Sequence, residues 1–269
     1  MRSVFILLFC VLVSTLQAQP QIGALSLKSE TNSEITSVSV DRLGNFYLAG
    51  SGTLVRLDPE GKPSGKKIYL QGEGTDLLEC WNPLRIWHYQ ESFPFRAILL
   101  DNTLETLKDS IQIDPAIAIK PLLIAPAVSN NNCWILDMDY SVKYLNLTTS
   151  TVMLDSEPLV APGTNPGFLY MRAYQNLLFL LTREKGILVM NMTGHIIRTI
   201  PVNGVSHFGV LGEDIYFRRG KEMVFINLYS GDETKTTLPE VGEFILANDE
   251  RLLIASGKKY SLYRFSPPK

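Results

Sequence analysis

The 269-residue sequence predicts an all-β chain: a single β-propeller of about six four-stranded blades, closed by a strand from its own N-terminus. Three observations predict it. Short runs of alternating apolar and polar residues fill the chain, and helical periodicity is scarce. Similar strands end in Asn or Asp followed by a turn, in "TLVRLDPEG" (53–61), "SVKYLNLTTS" (141–150), "ILVMNMTGH" (187–195) and "MVFINLYSGD" (223–232). The unit built on these segments holds four strands and recurs about every 40 residues, the period of a propeller blade.

The chain opens with "MRSVFILLFCVLVSTLQA": Arg2, an apolar run from Val4 to Val13, then small and polar residues to Ala18. This pattern reads as a secretory signal peptide cleaved near Ala18, which leaves residues 19–269 as the propeller domain. The apolar run is too short to cross a bilayer, which takes about 20 residues, and no later segment comes closer. The mature chain is therefore expected to be exported and soluble, periplasmic or extracellular, rather than membrane-spanning. Phe9 stands before Cys10 where a lipoprotein signal requires a small residue. Cleavage removes Arg2 and no acid, so 25 bases become 24 against 27 acids. That near-neutral balance gives no electrostatic footprint for nucleic acid or an anionic membrane.

Next comes a spare strand, "IGALSLKSE" (22–30). The first unit (35–70) follows with "ITSVSVDRLGNFYLAG", a hairpin turning at "DRLGN", then "TLVRL" and "KKIYL" (66–70). The second (76–113) is the least regular: "LRIWHYQ", "FRAILLD" and "LETLKDSIQI" read as strands, while "QGEGTDLLECWNPLR" and "HYQESFPFR" read as loops containing Pro83 and Pro94. Units three to five (118–156, 167–202 and 207–240) end in "STVMLD", "HIIRTIPV" and "ETKTTLP"; the fourth and fifth turn at "AYQN" and "LGED". The sixth (242–265) turns at "ANDE" and stops after three strands, with "YSLYRF" running into "SPPK". A missing outer strand leaves an unpaired edge. Residues 22–30 are accordingly expected to pair with the strand around Tyr260–Phe265. At the turns, short Asn and Asp side chains bond their own backbone, and Gly61, Gly194 and Gly231 supply positive φ without steric cost.

The segment "VSVDRLGNFYLAGSGTLVRLDPEG" (38–61) places Asp41, Gly44, Asn45, Tyr47, Asp58 and Gly61 in a spacing that resembles the "D…GNxYV…xIxxxDxxG" repeat of NHL-type six-bladed propellers. The match is close in the first unit and loose elsewhere. It implies the fold; in that family these residues shape turns rather than perform chemistry, so it implies no activity.

Catalytic motifs are sparse. His88, His195 and His207 occupy different positions in their units, and there is no HExxH, CxxC, GxSxG or glycine-rich phosphate loop. No cofactor is expected. Asp137 and Asp139 in "ILDMDYS" are the metal-ligand candidates: on one strand face they suit Ca²⁺, at a strand end they serve the turn. Cys80 and Cys133 allow one disulfide or two buried thiols. Trp81, Trp87, Tyr89, Phe93 and Phe95 crowd the irregular second unit, either as partner anchors or as packing between blades. The function expected from these features is a non-catalytic protein-interaction module of the bacterial cell envelope. Its expected partner is another envelope protein, in one version an outer-membrane transport or secretion complex. The alternatives are a metal-dependent, lactonase-like propeller hydrolase and a carbohydrate- or peptide-binding propeller.

Overall fold

The computed structural model describes residues 19–32, 34–50, 52–65, 68–69, 76–90, 96–127, 131–161 and 163–268. The proposed signal peptide, Phe93 and Phe95 lie outside the described residues. No helix occurs among those described; the chain runs through β1 (Gln21–Glu30) and six consecutive antiparallel meanders. Blade 1 is β2 (Ser37–Val40), β3 (Phe46–Gly50), β4 (Thr53–Leu57) and β5 (Ile68–Tyr69). Blade 2 is β6 (Asp76–Glu79), β7 (Ile86–Gln90), β8 (Arg96–Leu100) and β9 (Thr106–Gln112). Blade 3 is β10 (Pro121–Pro126), β11 (Asn132–Asp137), β12 (Val142–Asn146) and β13 (Thr151–Asp155). Blade 4 is β14 (Phe168–Tyr174), β15 (Leu177–Thr182), β16 (Gly186–Asn191) and β17 (Ile196–Ile200). Blade 5 is β18 (Phe208–Leu211), β19 (Asp214–Arg219), β20 (Glu222–Asn227) and β21 (Glu233–Thr237). Blade 6 is β22 (Phe244–Ala247), β23 (Arg251–Ser256) and β24 (Lys259–Ser266), with β1 as its outer strand.

The expected closure is present: β1 pairs antiparallel with β24, in register Ile22↔Phe265, Leu27↔Leu262 and Glu30↔Lys259. One expectation fails locally. The stretch around "TDLLE", read above as part of a loop, contains β6, the innermost strand of blade 2. Its glycine-rich approach and the aromatic and proline residues after it mask a four-residue strand that pairs Leu78 with His88.

First strands of neighbouring blades approach one another around the axis, and the fourth strands lie outside. Burial follows that order: β2 is buried throughout, whereas β13 and β21 alternate exposed and half-buried positions. The molecule has no single central core. The described residues form six hydrophobic clusters, one per blade junction, such as Trp87, Tyr89, Ile124 and Cys133 between blades 2 and 3, and Trp134, Leu136, Leu178 and Met190 between blades 3 and 4. Each sheet is apolar on both faces because each face meets a neighbouring blade.

The turns follow the chemistry expected from sequence. The Asp41 carboxylate accepts hydrogen bonds from Leu43 N (2.8 Å), Asn45 N (2.9 Å), Asn45 Nδ2 (2.9 Å) and the buried Tyr47 hydroxyl (2.9 Å). Burial raises the pKa of that hydroxyl, with further contributions from Cys80 and Asp41. Asn146, Asn191, Asn227 and Asn248 repeat the backbone part of this arrangement in blades 3 to 6. Gly61, Gly194 and Gly231 take φ values of 82°, 83° and 79°. Antiparallel order puts the turns between first and second strands and between third and fourth strands on one side of the ring, called here the upper face.

Candidate functional site

The upper mouth of the ring is built on the β6–β7 turn. Trp81 N donates to Glu79 Oε1 (3.2 Å), Leu84 N to Asn82 Oδ1 (3.1 Å), and Arg85 N to Asn82 O (2.9 Å). Arg42 N, in the β2–β3 turn, donates to Trp81 O (3.2 Å), which ties this loop to blade 1. The turn projects the Trp81 ring toward blade 4. There it meets Tyr174 edge-on, with centroids 6.0 Å apart and planes at 79°, and it covers the Arg172 guanidinium at 5.7 Å. Tyr174 is itself held by a hydrogen bond from its hydroxyl to Gly212 O of blade 5 (2.8 Å).

Trp81 remains 39% exposed, with Leu84 at 61% on the same turn and Leu43 at 64% on the adjoining β2–β3 turn. It forms a wall shared by two spaces. One, of about 330 Å³, is bounded by Val40, Leu43, Pro59, Trp81, Leu211 and Asn248. The other, of about 50 Å³, lies between Glu79, Trp81, Arg85, Trp87 and Ala173.

Below the mouth, inner strands carry buried polar groups. Ser37 Oγ and Ser39 Oγ accept from Leu78 N (3.1 Å) and Cys80 N (3.0 Å), linking blades 1 and 2. The Tyr89 hydroxyl donates to Ile124 O (2.7 Å), linking blades 2 and 3. The Tyr216 hydroxyl accepts from Ala247 N (2.8 Å), linking blades 5 and 6. Gly209 gives the Tyr216 ring its space, since a Cβ there would fall 2.1 Å from it. The His207 ring lies against Tyr170, with centroids 4.6 Å apart and planes tilted at 41°. Burial, aided by the Arg172 charge, lowers its pKa to about 3, so its imidazole is neutral near pH 7. Burial is the largest influence on Arg172 and opposes its charge, but the Glu79 carboxylate, Tyr170, which shares a hydrogen bond with the guanidinium, and Tyr216 together outweigh it and hold the guanidinium charged.

The sequence-nominated residues separate. Of the aromatic candidates in blade 2, Trp81 faces solvent, whereas Trp87 and Tyr89 pack in the junction between blades 2 and 3. These two are unavailable as anchors, because alternation along β7 turns them into the junction. Asp137 is buried, and its oxygens take hydrogen bonds from Ile119 N, Lys120 N and Met138 N, each at 2.8 Å. Asp139 lies past the end of β11 rather than on a strand face, and accepts from Ser141 N (2.8 Å) and Ser141 Oγ (2.7 Å). Asp137 ties the segment before β10 to the end of β11, and Asp139 serves the β11–β12 turn; no group of three or more His, Cys, Asp or Glu suited to a metal occurs among the described residues. Cys80 and Cys133 are free and buried; burial raises the thiol pKa of both, to about 12 for Cys133.

Arg172 and Tyr174 were not singled out by the sequence. The signal was present: "YMRAY" places Tyr170, Arg172 and Tyr174 on one side of a strand, an unusual set for an innermost strand.

No protein-family model and no curated protein sequence matches the chain. In three dimensions it is similar to the WD40 domain of Pan2 from Neurospora crassa, with a TM-score of 0.61 over 92% of this chain and 96% of that one, at 8% sequence identity. At that identity the likeness shows propeller architecture alone. In all, 1331 solved chains match, and a likeness so widely shared marks a scaffold rather than an activity. A rigid ring displaying loops on two faces is consistent with a protein-interaction module. No helix among the described residues is long and apolar enough to cross a membrane.

Proposed function

We propose that this propeller is a non-catalytic interaction module of the bacterial cell envelope, exported by its N-terminal signal and docking through its upper face on another envelope protein, in the strongest version an outer-membrane transport or secretion complex. The observation that carries the docking face is Trp81: half-exposed, braced by Tyr174 and Arg172, and flanked by Leu43 and Leu84. An aromatic already held in place loses little rotamer freedom on binding and suits an interface anchor. The run Val4–Val13 before Ala18 supports export. The Asp41 turn of blade 1 supports a relation to NHL-type propellers.

The test is capture from detergent-solubilised envelopes of the native host, with tagged wild type beside Trp81→Ala. The expected result is a mature chain beginning at Gln19 and an envelope protein retained by wild type and lost by the variant. A partner retained equally by both would contradict the assigned face, and a chain that stays unprocessed in the cytoplasm would contradict export.

A further inference from the structure

Arg172 is 3% exposed, yet its Nη2 has no hydrogen-bond partner. Among the described residues no carboxylate lies within ion-pair distance of it; Glu79 acts on its charge from farther away, with Oε1 engaged by Trp81 N. Tyr170 shares a hydrogen bond with the guanidinium, but Nη2 is left over; a buried charged donor without an acceptor is unfavourable, and an anion at Nη2 would supply one. The cover over this donor is the Trp81 ring, and the ring stands between spaces of about 50 Å³ and 330 Å³ that give it room to turn.

We propose that Arg172 and Trp81 form a binding site for a monocarboxylate with an apolar body: the ring swings from the guanidinium, the carboxylate pairs with Nη2, and the body occupies the larger space. The walls define the ligand. Val40, Leu43, Pro59, Val210 and Leu211 accept aliphatic groups. Asp249 and Glu250 on the same wall repel a polyanion and exclude polyphosphates and nucleic acid. Arg42 and Arg85 line the larger and smaller spaces; Arg172 is the buried cation beneath the Trp81 ring with a donor to spare, and His207 beside it is neutral. The carboxylate can come from a free aliphatic acid or from a chain terminus ending in an aliphatic residue. The site shares Trp81 with the docking face but does not depend on envelope capture, because it is tested on the purified protein alone.

The probes are N-acetyl-leucine and its neutral isostere N-acetyl-leucinamide, titrated calorimetrically and by tryptophan fluorescence; of the three tryptophans, Trp87 and Trp134 are buried and Trp81 is the responsive one. The acid is expected to bind about tenfold or more tighter than the amide, as a charge-assisted pair requires. Arg172→Gln should abolish that preference, and Glu79→Gln should tighten acid binding by removing a competing charge. Trp81→Phe should remove the fluorescence response and keep the preference for acid over amide. A peptide acid ending in Leu that binds at least tenfold tighter than N-acetyl-leucine identifies a chain terminus as the ligand; equal binding identifies a free acid. The wild-type comparison needs no variant to fold. Acid and amide binding alike, or neither binding at millimolar concentration, would overturn the proposal.

Discussion

Trp81 and Trp87 stand six positions apart, and the fold treats them oppositely: Trp81 is 39% exposed at the ring's mouth, and Trp87 is 2% exposed between blades 2 and 3. Trp81 begins a turn held by Asn82 and Glu79 side chains; Trp87 sits within β7, where alternation sends it into a junction. The difference shows how this propeller divides labour. Strand residues glue neighbouring blades, because both faces of every sheet are covered. Turn residues on the upper face are released from packing and become available for recognition.

The comparison can be sharpened by removing parts of the scaffold and then parts of the mouth. The largest effect is expected from deleting residues 19–31, which takes away β1 and leaves β24 with an open edge. The melting temperature should fall by roughly 10 °C or more, at about 2–4 °C per kcal/mol for a chain of this size; a deletion that melts like the parent would break the closure assignment. Trp87→Ala should cost about 3–5 kcal/mol in denaturant unfolding, the range for a truncated core aromatic, while the folded fraction keeps its partner. Asp41→Ala should cost about 1–3 kcal/mol, since it orphans the buried Tyr47 hydroxyl; adding Tyr47→Phe should recover part of that loss.

At the mouth the expectations reverse. Trp81→Ala should cost about 2 kcal/mol of stability, the scale of a cation–π contact to a desolvated guanidinium and less than Trp87→Ala, and weaken partner binding by about 2 kcal/mol or more. Equal effects of Trp81→Ala and Trp87→Ala on both readouts would erase the distinction between the two positions. The smallest effect is expected from EDTA. Asp137 and Asp139 already receive backbone and Ser141 donors, so chelation should leave the melting curve unchanged, whereas a bound ion at a hundredfold excess over its Kd would be worth about 2.7 kcal/mol.

What was legible in the sequence was local or countable. Asx turns at Asp41, Asn191 and Asn227 need only a few consecutive residues, and β1 was found because the last unit lacked a strand while the first had one to spare. What was illegible depends on contacts between blades. "ECWNPLRIWHY" separates a loop tryptophan from a strand tryptophan, but nothing in it tells which ring a neighbouring blade covers, and β6, four residues long with loop-like surroundings, stayed hidden. The bracing of Trp81 by Arg172 and Tyr174 joins blades 2 and 4 across the ring, a distance of about ninety residues that no local pattern spans.

The upper-face assignment is tested most directly by photo-crosslinking in the native host, with p-benzoylphenylalanine introduced at Trp81 and Leu43 on the upper face and at Met138 and Val241, exposed residues of lower-face connections. Adducts to one envelope protein from positions 81 and 43, and none from 138 and 241, are the predicted result. Adducts from 138 and 241 with none from 81 and 43 would place the docking surface on the other side of the ring.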